Sequence, residues 1–299
     1  MRVLLFGATG FIGGRVLERL LGEGHDVVAV VRDPHDLQAY GKRVSVVKGD
    51  IAVPMTYRGQ GLHCQASINC VGLLRGGLGG KKYARVVVKG THAWLKECQE
   101  SSVKHVVLVS ANGADPEGPA YAKTKWKAEQ AVRSSGLAWT IVRPSFVVGP
   151  GGIVEQFAKL LKLRILPVFG RQDYLAEPVD RDDVADVIVG SLKNGNAKNR
   201  AFHLGGPDQV TYREMLETIR RHAGTGCWIP TLPRFVGYTM AGTLGWLPFF
   251  PATVENLKLL FNGNLTPERD FEAVFRRTPK PFDASVIDAL QGLGRRKGP

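Results

Sequence analysis

Short apolar runs alternate with amphipathic segments through the first half of the chain. The runs are rich in valine, isoleucine and leucine and predict strands buried on both faces of a sheet. They span residues 3–6, 27–31, 44–48, 66–70, 106–109 and 139–142. Segments with apolar residues at helical spacing lie between most of them, at 11–21, 82–100 and 121–135. This alternation predicts an α/β fold built on a doubly wound parallel sheet.

The pattern changes after Pro150. Proline and glycine separate shorter elements there, at 153–163, 180–192, 201–204 and 211–222. We therefore predict two domains, a sheet domain over residues 1–150 and a smaller substrate or partner lobe over 151–299. Part of 180–204 is expected to return to the main sheet.

A glycine-rich turn, GATGFIG at residues 7–13, follows the first predicted strand and opens the first predicted helix. This is the context of a dinucleotide-binding fingerprint. Gly7 would let the chain turn, Gly10 would let a pyrophosphate approach, and Gly13 would let helix and strand pack closely. The alternative is an ordinary glycine turn. The context favours a Rossmann-type nicotinamide-dinucleotide domain over 1–150, whose phosphate turn also includes Thr9, Phe11 and Ile12.

The residues after the second predicted strand would contact the ribose that carries the 2′-phosphate in NADP, so they indicate which dinucleotide is preferred. Arg32 follows it directly, 19 residues after Gly13, and a guanidinium there could bind the 2′-phosphate of NADP. We favour NADP(H) and keep NAD(H) as the alternative. Arg32 could instead pair with Asp33 or Asp36 at the surface. Because Pro34 comes next, Asp33 is expected to start a turn or helix rather than to bind ribose.

Asp50 closes the third predicted strand in the sequence Lys48-Gly49-Asp50-Ile51. Its carboxylate could accept a hydrogen bond from the adenine amino group. The alternative is that Asp50 caps a helix or a turn.

Tyr121 is followed four residues later by Lys125, which on a helix places both side chains on one face. The pair lies between the fifth and sixth strands, near the sheet edge where ligands bind. A nearby ammonium is expected to lower the pKa of the phenol, which could then exchange a proton with a substrate while nicotinamide exchanges hydride. The alternative is a solvated helix face.

Composition and charge indicate which partners, metal sites and cellular location to expect. The 299 residues carry a net charge of +13, spread along the chain, which suits an anionic cofactor or an anionic membrane surface. No nucleic-acid motif is present, so nucleic acid is not an expected partner. The four cysteines form no CxxC pair and predict reduced thiols without a metal site. With a first apolar run too short for a signal peptide, we expect a cytoplasmic protein.

The glycine turn and the Tyr121–Lys125 pair, in this order, resemble the short-chain dehydrogenase/reductase superfamily. Further segments resemble its extended and atypical members. They are NCVG at 69–72, GT at 90–91, VRPS at 142–145, GP at 149–150, PVD at 178–180, DDVA at 182–185 and FHLGGP at 202–207. The ending, from 264 to 282, is most similar to one branch, the dinucleotide-binding accessory subunit of respiratory complex I and its bacterial relatives.

The resemblance implies roles for further residues. A serine after the fifth strand would hold the substrate oxygen; here this is Ser110, with Ala111 or Asn112 as alternatives in another register. Lys125 would also hold the nicotinamide ribose. The stretch VVVKGT at 86–91 lacks an asparagine found in many extended members, so no water relay built on it is expected. Cofactor contacts are implied at Ile51, Cys70, Val71, Gly72, Tyr121, Lys125 and Pro144.

Three functions follow from these patterns. The first is an NAD(P)(H)-dependent oxidoreductase or epimerase-type enzyme that acts on a nonpolar, quinone-like or lipid-like carbonyl or alcohol. The second is a non-catalytic NADPH-binding accessory or assembly protein of a complex I-type NADH:quinone oxidoreductase, with respiratory-complex subunits as partners. The third is an NADP(H)-sensing regulator.

One segment raises the question of a membrane. Residues 235–254 carry no formal charge, but glycines and prolines interrupt them, so a spanning helix is not expected. Their aromatic side chains either line the core or substrate cleft, or a part at 246–250 lies in a membrane interface. The second interpretation predicts a peripheral location on the inner face of the cytoplasmic membrane.

Overall fold

The computed structural model describes residues 1–73, 80–170, 174–244, 254–261 and 263–295. Its strands, in chain order, are β1 (Arg2–Phe6), β2 (Asp26–Val31), β3 (Val44–Lys48), β4 (Ala66–Asn69), β5 (His105–Val109), β6 (Ala138–Pro144), β7 (Val147–Val148), β8 (Val168–Phe169), β9 (Leu175–Ala176), β10 (Val179–Asp180), β11 (Arg200–Leu204), β12 (Val210–Thr211) and β13 (Thr231–Leu232).

Helices follow most of the strands. They are α1 (Phe11–Gly22), α2 (Lys81–Tyr83), α3 (Gly90–Gln99), α4 (Ala120–Arg133), α5 (Ile153–Leu160), α6 (Arg181–Ser191), α7 (Tyr212–Ala223), α8 (Arg234–Leu244), α9 (Val254–Phe261), α10 (Asp270–Phe275) and α11 (Phe282–Arg295). A π-helical segment, Ala84–Lys89, joins α2 to α3. Short 3-10 segments occur at Pro34–Arg43, Pro54–Thr56 and Gly195–Ala197.

Seven of the described strands form one parallel sheet in the order β11-β6-β5-β4-β1-β2-β3. The predicted doubly wound α/β fold is confirmed. After β3 the chain crosses to β4, on the other side of β1, so the strand order reverses between β1 and β4. In such sheets ligands bind at the carboxyl ends of the strands at this switch point.

Both faces of the sheet are covered. Leu4 and Phe6 belong to a buried cluster with Trp94 of α3 and Val132 of α4. Because side chains alternate along a strand, Val3 and Leu5 point to the opposite face, and both are completely buried. Helix α1 packs against α6, and ion pairs between their side chains join the two helices.

The chain divides into two compact units. The larger consists of Met1–Pro144, Arg181–Leu204 and Glu268–Arg277, and holds the seven-stranded sheet. The smaller consists of Ser145–Asp180, Gly205–Pro267 and Thr278–Pro299. Helices α5, α7 and α11 pack together in the smaller unit around an apolar core that includes Val154, Phe157, Met215, Ile219 and Val286.

No helix within the described residues is both long and apolar enough to cross a lipid bilayer.

Candidate functional site

The glycine turn between β1 and α1 forms a cradle of bare backbone. Gly7 has a φ of 83°, in the region that favours glycine, and its carbonyl accepts a hydrogen bond of 2.9 Å from the Gly10 N–H. A Cβ on Gly13 would lie 2.0 Å from the Gly7 carbonyl oxygen. No side chain caps α1 at Gly10. The first N–H groups of the helix are therefore open to an anion, and the cradle fits the pyrophosphate of a dinucleotide.

The rest of the predicted turn lies at the same place. Thr9 is exposed, and Phe11 and Ile12, the first two residues of α1, are half-buried. The Arg181 guanidinium stands 5.2 Å from the centre of the Phe11 ring. These residues surround the helix N-terminus that would meet the phosphates.

The residues after β4 come beside the glycine turn. A Cβ on Gly7 would lie 3.0 Å from the carbonyl carbon of Cys70, and the Val71 N–H donates to the Asn69 side chain at 2.9 Å. Burial raises the pKa of the Cys70 thiol to about 12, so the thiol keeps its proton at neutral pH. The structure therefore brings the predicted residues 70–72 and 7–13 together at the switch point.

Arg32 is exposed at the end of β2. The Asp33 side chain accepts a hydrogen bond from the His35 N–H at 3.1 Å and begins a 3-10 segment, so its predicted helix-start role is confirmed. Within the described part of the chain, Arg32 makes no ion pair with Asp33. The side chain of Asp36, the other surface partner considered, lies outside the described residues.

Asp50 holds a turn. Its carboxylate accepts from the Ala52 N–H at 2.9 Å, as in the capping alternative. Ile51 is buried, and its carbonyl accepts from the Tyr57 hydroxyl at 3.0 Å. A Cβ on Gly90 would lie 3.0 Å from the Ile51 side chain. The turn that would contact adenine is thus fixed from within the protein.

Tyr121 and Lys125 share one face of α4. The Lys125 ammonium is buried, donates to the Val109 carbonyl at 2.9 Å, and stands 5.9 Å from the centre of the Tyr121 ring. The Tyr121 ring meets Tyr83 edge-on at 5.6 Å. A Cβ on Gly72 would lie 4.0 Å from the ammonium nitrogen. The pair therefore lies beside the residues that follow β4.

Burial sets the protonation of both groups. It lowers the pKa of Lys125 to about 8, although the nearby Glu129 carboxylate acts in the opposite direction. It raises the pKa of Tyr121 to about 12, with a smaller contribution from Tyr83. This shift is opposite to the expected lowering by Lys125, because desolvation of the phenol dominates. At neutral pH the phenol keeps its proton.

The Ser110 hydroxyl is bound by a carboxylate that the sequence interpretation did not include. It donates to Oε1 of Glu129 at 2.5 Å, and both residues are buried. Arg143 donates to both oxygens of the same carboxylate, at 2.9 Å and 2.5 Å. The spacing of Tyr121, Lys125 and Glu129, four residues apart on one helix face, was the available signal.

The network continues to the edge strand β11. Nη1 of Arg143 donates to Nε2 of His203 at 2.9 Å, so that nitrogen carries no proton and Nδ1 donates to the Asn112 side chain at 2.8 Å. Burial and the Arg143 charge lower the pKa of His203. The Asn112 N–H donates to the Pro144 carbonyl at 2.9 Å. Polar contacts thus join the carboxyl ends of β5, β6 and β11.

Among the described residues, no group of three or more histidine, cysteine, aspartate or glutamate side chains is placed to hold a metal ion.

Known proteins resemble the chain along most of its length. An NAD(P)H azoreductase of Xenophilus azovorans is 27% identical over 304 residues, which cover 96% of this chain and 91% of that protein. Subunit 9 of the mitochondrial NADH dehydrogenase [ubiquinone] 1 alpha subcomplex of Arabidopsis thaliana is 27% identical over 231 residues, or 72% and 56% of the two chains. The predicted resemblance to complex I subunits is confirmed.

Two further comparisons concern fold and length. The crystal structure of UDP-glucose 4-epimerase from Thermotoga maritima aligns over the whole of both chains with a TM-score of 0.79 and 17% identity, which shows a common fold. The chain spans 23% of the length of uncharacterized proteins of Mycobacterium tuberculosis and Mycobacterium bovis, at 24% identity over 221 residues.

A family model described as NAD(P)H-binding matches residues 7–195, from the glycine turn to the end of α6 and beyond. This range includes the cradle at the switch point and the Tyr121–Lys125 pair. The chain belongs to this NAD(P)H-binding family.

Proposed function

We propose that the protein is an NADPH-dependent reductase in which Tyr121 gives the proton to the reduced substrate. The observation that carries this proposal is the half-buried Tyr121 phenol, whose pKa is raised to about 12, beside the buried Lys125 ammonium at the switch point of the sheet. A phenol that keeps its proton is suited to donate it. An epimerase must first remove a proton from an alcohol, which this protonation state disfavours.

The reaction needs one hydride and one proton. Reduced nicotinamide, when bound, supplies the hydride. The Tyr121 hydroxyl supplies the proton to the other end of the reduced double bond and regains one from solvent. Lys125 orients the ribose and stabilises the transient phenolate. The substrate class is a quinone-like or lipid-like carbonyl; an azo group, as the name of the azoreductase relative suggests, accepts the same hydride and proton.

NADPH is proposed over NADH because Arg32 stands exposed after β2, where a 2′-phosphate would lie, while Asp33 is occupied at the start of a 3-10 segment. A guanidinium can form charge-assisted hydrogen bonds with that phosphate. Both observations favour a phosphorylated ribose.

A second candidate is a non-catalytic NADPH-binding accessory or assembly protein, or a regulator that senses NADP(H). One contact favours it: the Ser110 hydroxyl, expected to hold the substrate oxygen, is bound to Glu129 at 2.5 Å. The relative named as a complex I subunit supports respiratory-complex subunits as partners in this case.

A peripheral location on an anionic membrane is proposed with either function; for the reductase, it would bring the protein to a membrane-soluble quinone-like or lipid-like substrate. Residues 246–250, the part predicted to lie in a membrane interface, are outside the described residues. Phe235, the first residue of the uncharged segment 235–254, exposes 70% of its surface and follows Arg234 in the chain.

The test combines native mass spectrometry with a substrate panel. The gently purified protein is weighed to identify a retained dinucleotide, and NADPH oxidation is then followed with quinones, azo dyes and hydrophobic ketones. We expect NADPH to be retained and at least one acceptor to be reduced. Retained NADPH without oxidation by any acceptor would favour the accessory protein, and retention of no dinucleotide would contradict both.

A further inference from the structure

Three large apolar side chains of the smaller unit are exposed on neighbouring segments. Trp228 exposes 64% of its surface, Leu163 55% and Ile165 52%. The Trp228 N–H donates to the Arg164 carbonyl at 2.9 Å, and the Leu166 N–H donates to the Trp228 carbonyl at 3.0 Å, which places Ile165 opposite Trp228. Leu163, Ile165 and Trp228 therefore form one surface, named here the Trp228 patch.

Positive charge borders the patch. The patch lies on two stretches of the chain, residues 156–172 and 218–254. Together these stretches contain seven lysines and arginines and no aspartate or glutamate. Lys162 and Arg164 are exposed next to the apolar side chains, and neither forms an ion pair within the described residues. Arg221 is less available, because it pairs with Asp283 at 2.9 Å. An exposed apolar surface with uncompensated positive charge is typical of an interaction site.

We propose that the Trp228 patch docks the protein on anionic phospholipid. The indole ring suits the depth of the headgroups, the two aliphatic side chains would enter the acyl boundary, and Lys162 and Arg164 would contact lipid phosphates. A second copy of the chain is a poorer occupant, because a symmetric contact would bring these positive charges together. The proposal rests on the peripheral location proposed above and assigns it a surface.

Vesicle co-sedimentation tests the surface. Wild type and variants are mixed with phosphatidylcholine vesicles, with or without phosphatidylglycerol, at low and high salt. We expect binding that needs phosphatidylglycerol and weakens with salt. Trp228→Ala and the double variant Lys162→Gln/Arg164→Gln should each bind about tenfold more weakly, whereas Trp228→Phe should keep most of the binding.

Matched controls separate the patch from general effects. Met55→Ala removes an apolar side chain that is 74% exposed in the larger unit, and Lys104→Gln/Lys127→Gln removes two exposed positive charges there. Both should bind vesicles like wild type. All variants should keep wild-type circular dichroism and NADPH affinity, which shows that they are folded.

Three results would overturn the proposal. If Trp228→Ala binds like wild type while Trp246→Ala/Phe249→Ala/Phe250→Ala does not, the membrane location stands and the patch is wrong. If wild type binds no vesicle, the membrane location and the Trp228 patch are both wrong. NADPH binding by the same protein tests the proposed reductase independently of this result. If wild type is a dimer by light scattering, Trp228→Ala is a monomer and neither binds vesicles, the patch is a contact between copies.

Discussion

At the scale of single residues, the site depends on a buried carboxylate. Glu129 is completely buried and accepts hydrogen bonds from Ser110 and Arg143. Arg143 in turn fixes the tautomer of His203. These contacts hold Ser110, the first residue after β5, in place.

Glu129→Gln should destabilise the fold by about 2–4 kcal/mol, because it leaves the Arg143 guanidinium without a buried counter-charge. Urea unfolding measures this change. Glu100→Gln is the control: Glu100 pairs with Lys96 on the surface, at 3.7 Å, and its loss should cost less than about 0.5 kcal/mol. Equal losses in the two variants would mean that the buried network contributes no more stability than the surface ion pair does.

Arg32→Ala should weaken NADPH binding roughly tenfold or more, a loss of about 1.5–3 kcal/mol for a charge-assisted contact, and should leave NADH binding nearly unchanged. Titration of both cofactors against both proteins gives the four affinities. Equal affinities of wild type for NADPH and NADH would remove Arg32 from the choice of cofactor.

Lys125 gives a pH dependence of known sign. Its pKa is lowered to about 8 in the fold, so above that pH the folded protein releases a proton that the unfolded chain keeps. Unfolding free energy should therefore rise, relative to Lys125→Met, by about 1 kcal/mol between pH of about 7 and about 9. A difference between the two proteins that does not change with pH would mean that Lys125 titrates normally.

At the scale of elements, one close approach shapes the phosphate site. The start of α1 lies so near the end of β1 that a Cβ on Gly13 would meet the Gly7 carbonyl oxygen at 2.0 Å. The neighbouring Gly14 has room, since its Cβ would lie 3.4 Å from the Ala8 carbonyl oxygen. The two glycines therefore differ in what they allow.

Gly13→Ala should cost about 1–3 kcal/mol of stability and abolish dinucleotide binding, because α1 must move away from β1. Gly14→Ala should be neutral or stabilise the helix by up to about 1 kcal/mol, with binding retained. Thermal unfolding and NADPH titration measure both variants. Wild-type binding by Gly13→Ala would show that the cradle does not need this close approach.

The sequence predicted the elements of the sheet better than their ends. Strands β1 to β6 were found because buried parallel strands are continuous β-branched runs. Strand β6 extends to Pro144, past the predicted end at 142, because Arg143 and Pro144 pair with His203 and Leu204 of β11, a contact distant in sequence. The single helix predicted at 82–100 contains the π-helical segment Ala84–Lys89, since helical periodicity does not separate π from α turns.

The site was predictable only where a motif is local. The glycine turn and the Tyr121–Lys125 pair each lie within one segment. Helical spacing puts Glu129 on the same face as Lys125, but its contact with Arg143 does not follow from spacing. Arg143 joins Glu129 to His203 only because α4, β6 and β11 converge. The pKa of Tyr121 also escaped prediction, because it depends on burial rather than on the neighbour four residues away.

At the scale of the whole molecule, the two units differ in what they offer. The larger holds the glycine cradle and Tyr121, the proposed proton donor, and the smaller carries the exposed apolar and basic surface around Trp228. Net charge of +13 suits both an anionic cofactor and an anionic surface. An NADPH-dependent reductase that works on a membrane-soluble substrate would use both.

A single-turnover experiment tests the central claim most directly. Protein in excess over NADPH is mixed with a quinone or an azo dye, and oxidation of the bound cofactor is followed for wild type and Tyr121→Phe. If the protein is the proposed reductase, wild type should oxidise its bound NADPH. Tyr121→Phe should do so at least about a hundredfold more slowly, with unchanged NADPH affinity. Bound NADPH that stays reduced with every acceptor, or a Tyr121→Phe variant as fast as wild type, would contradict it.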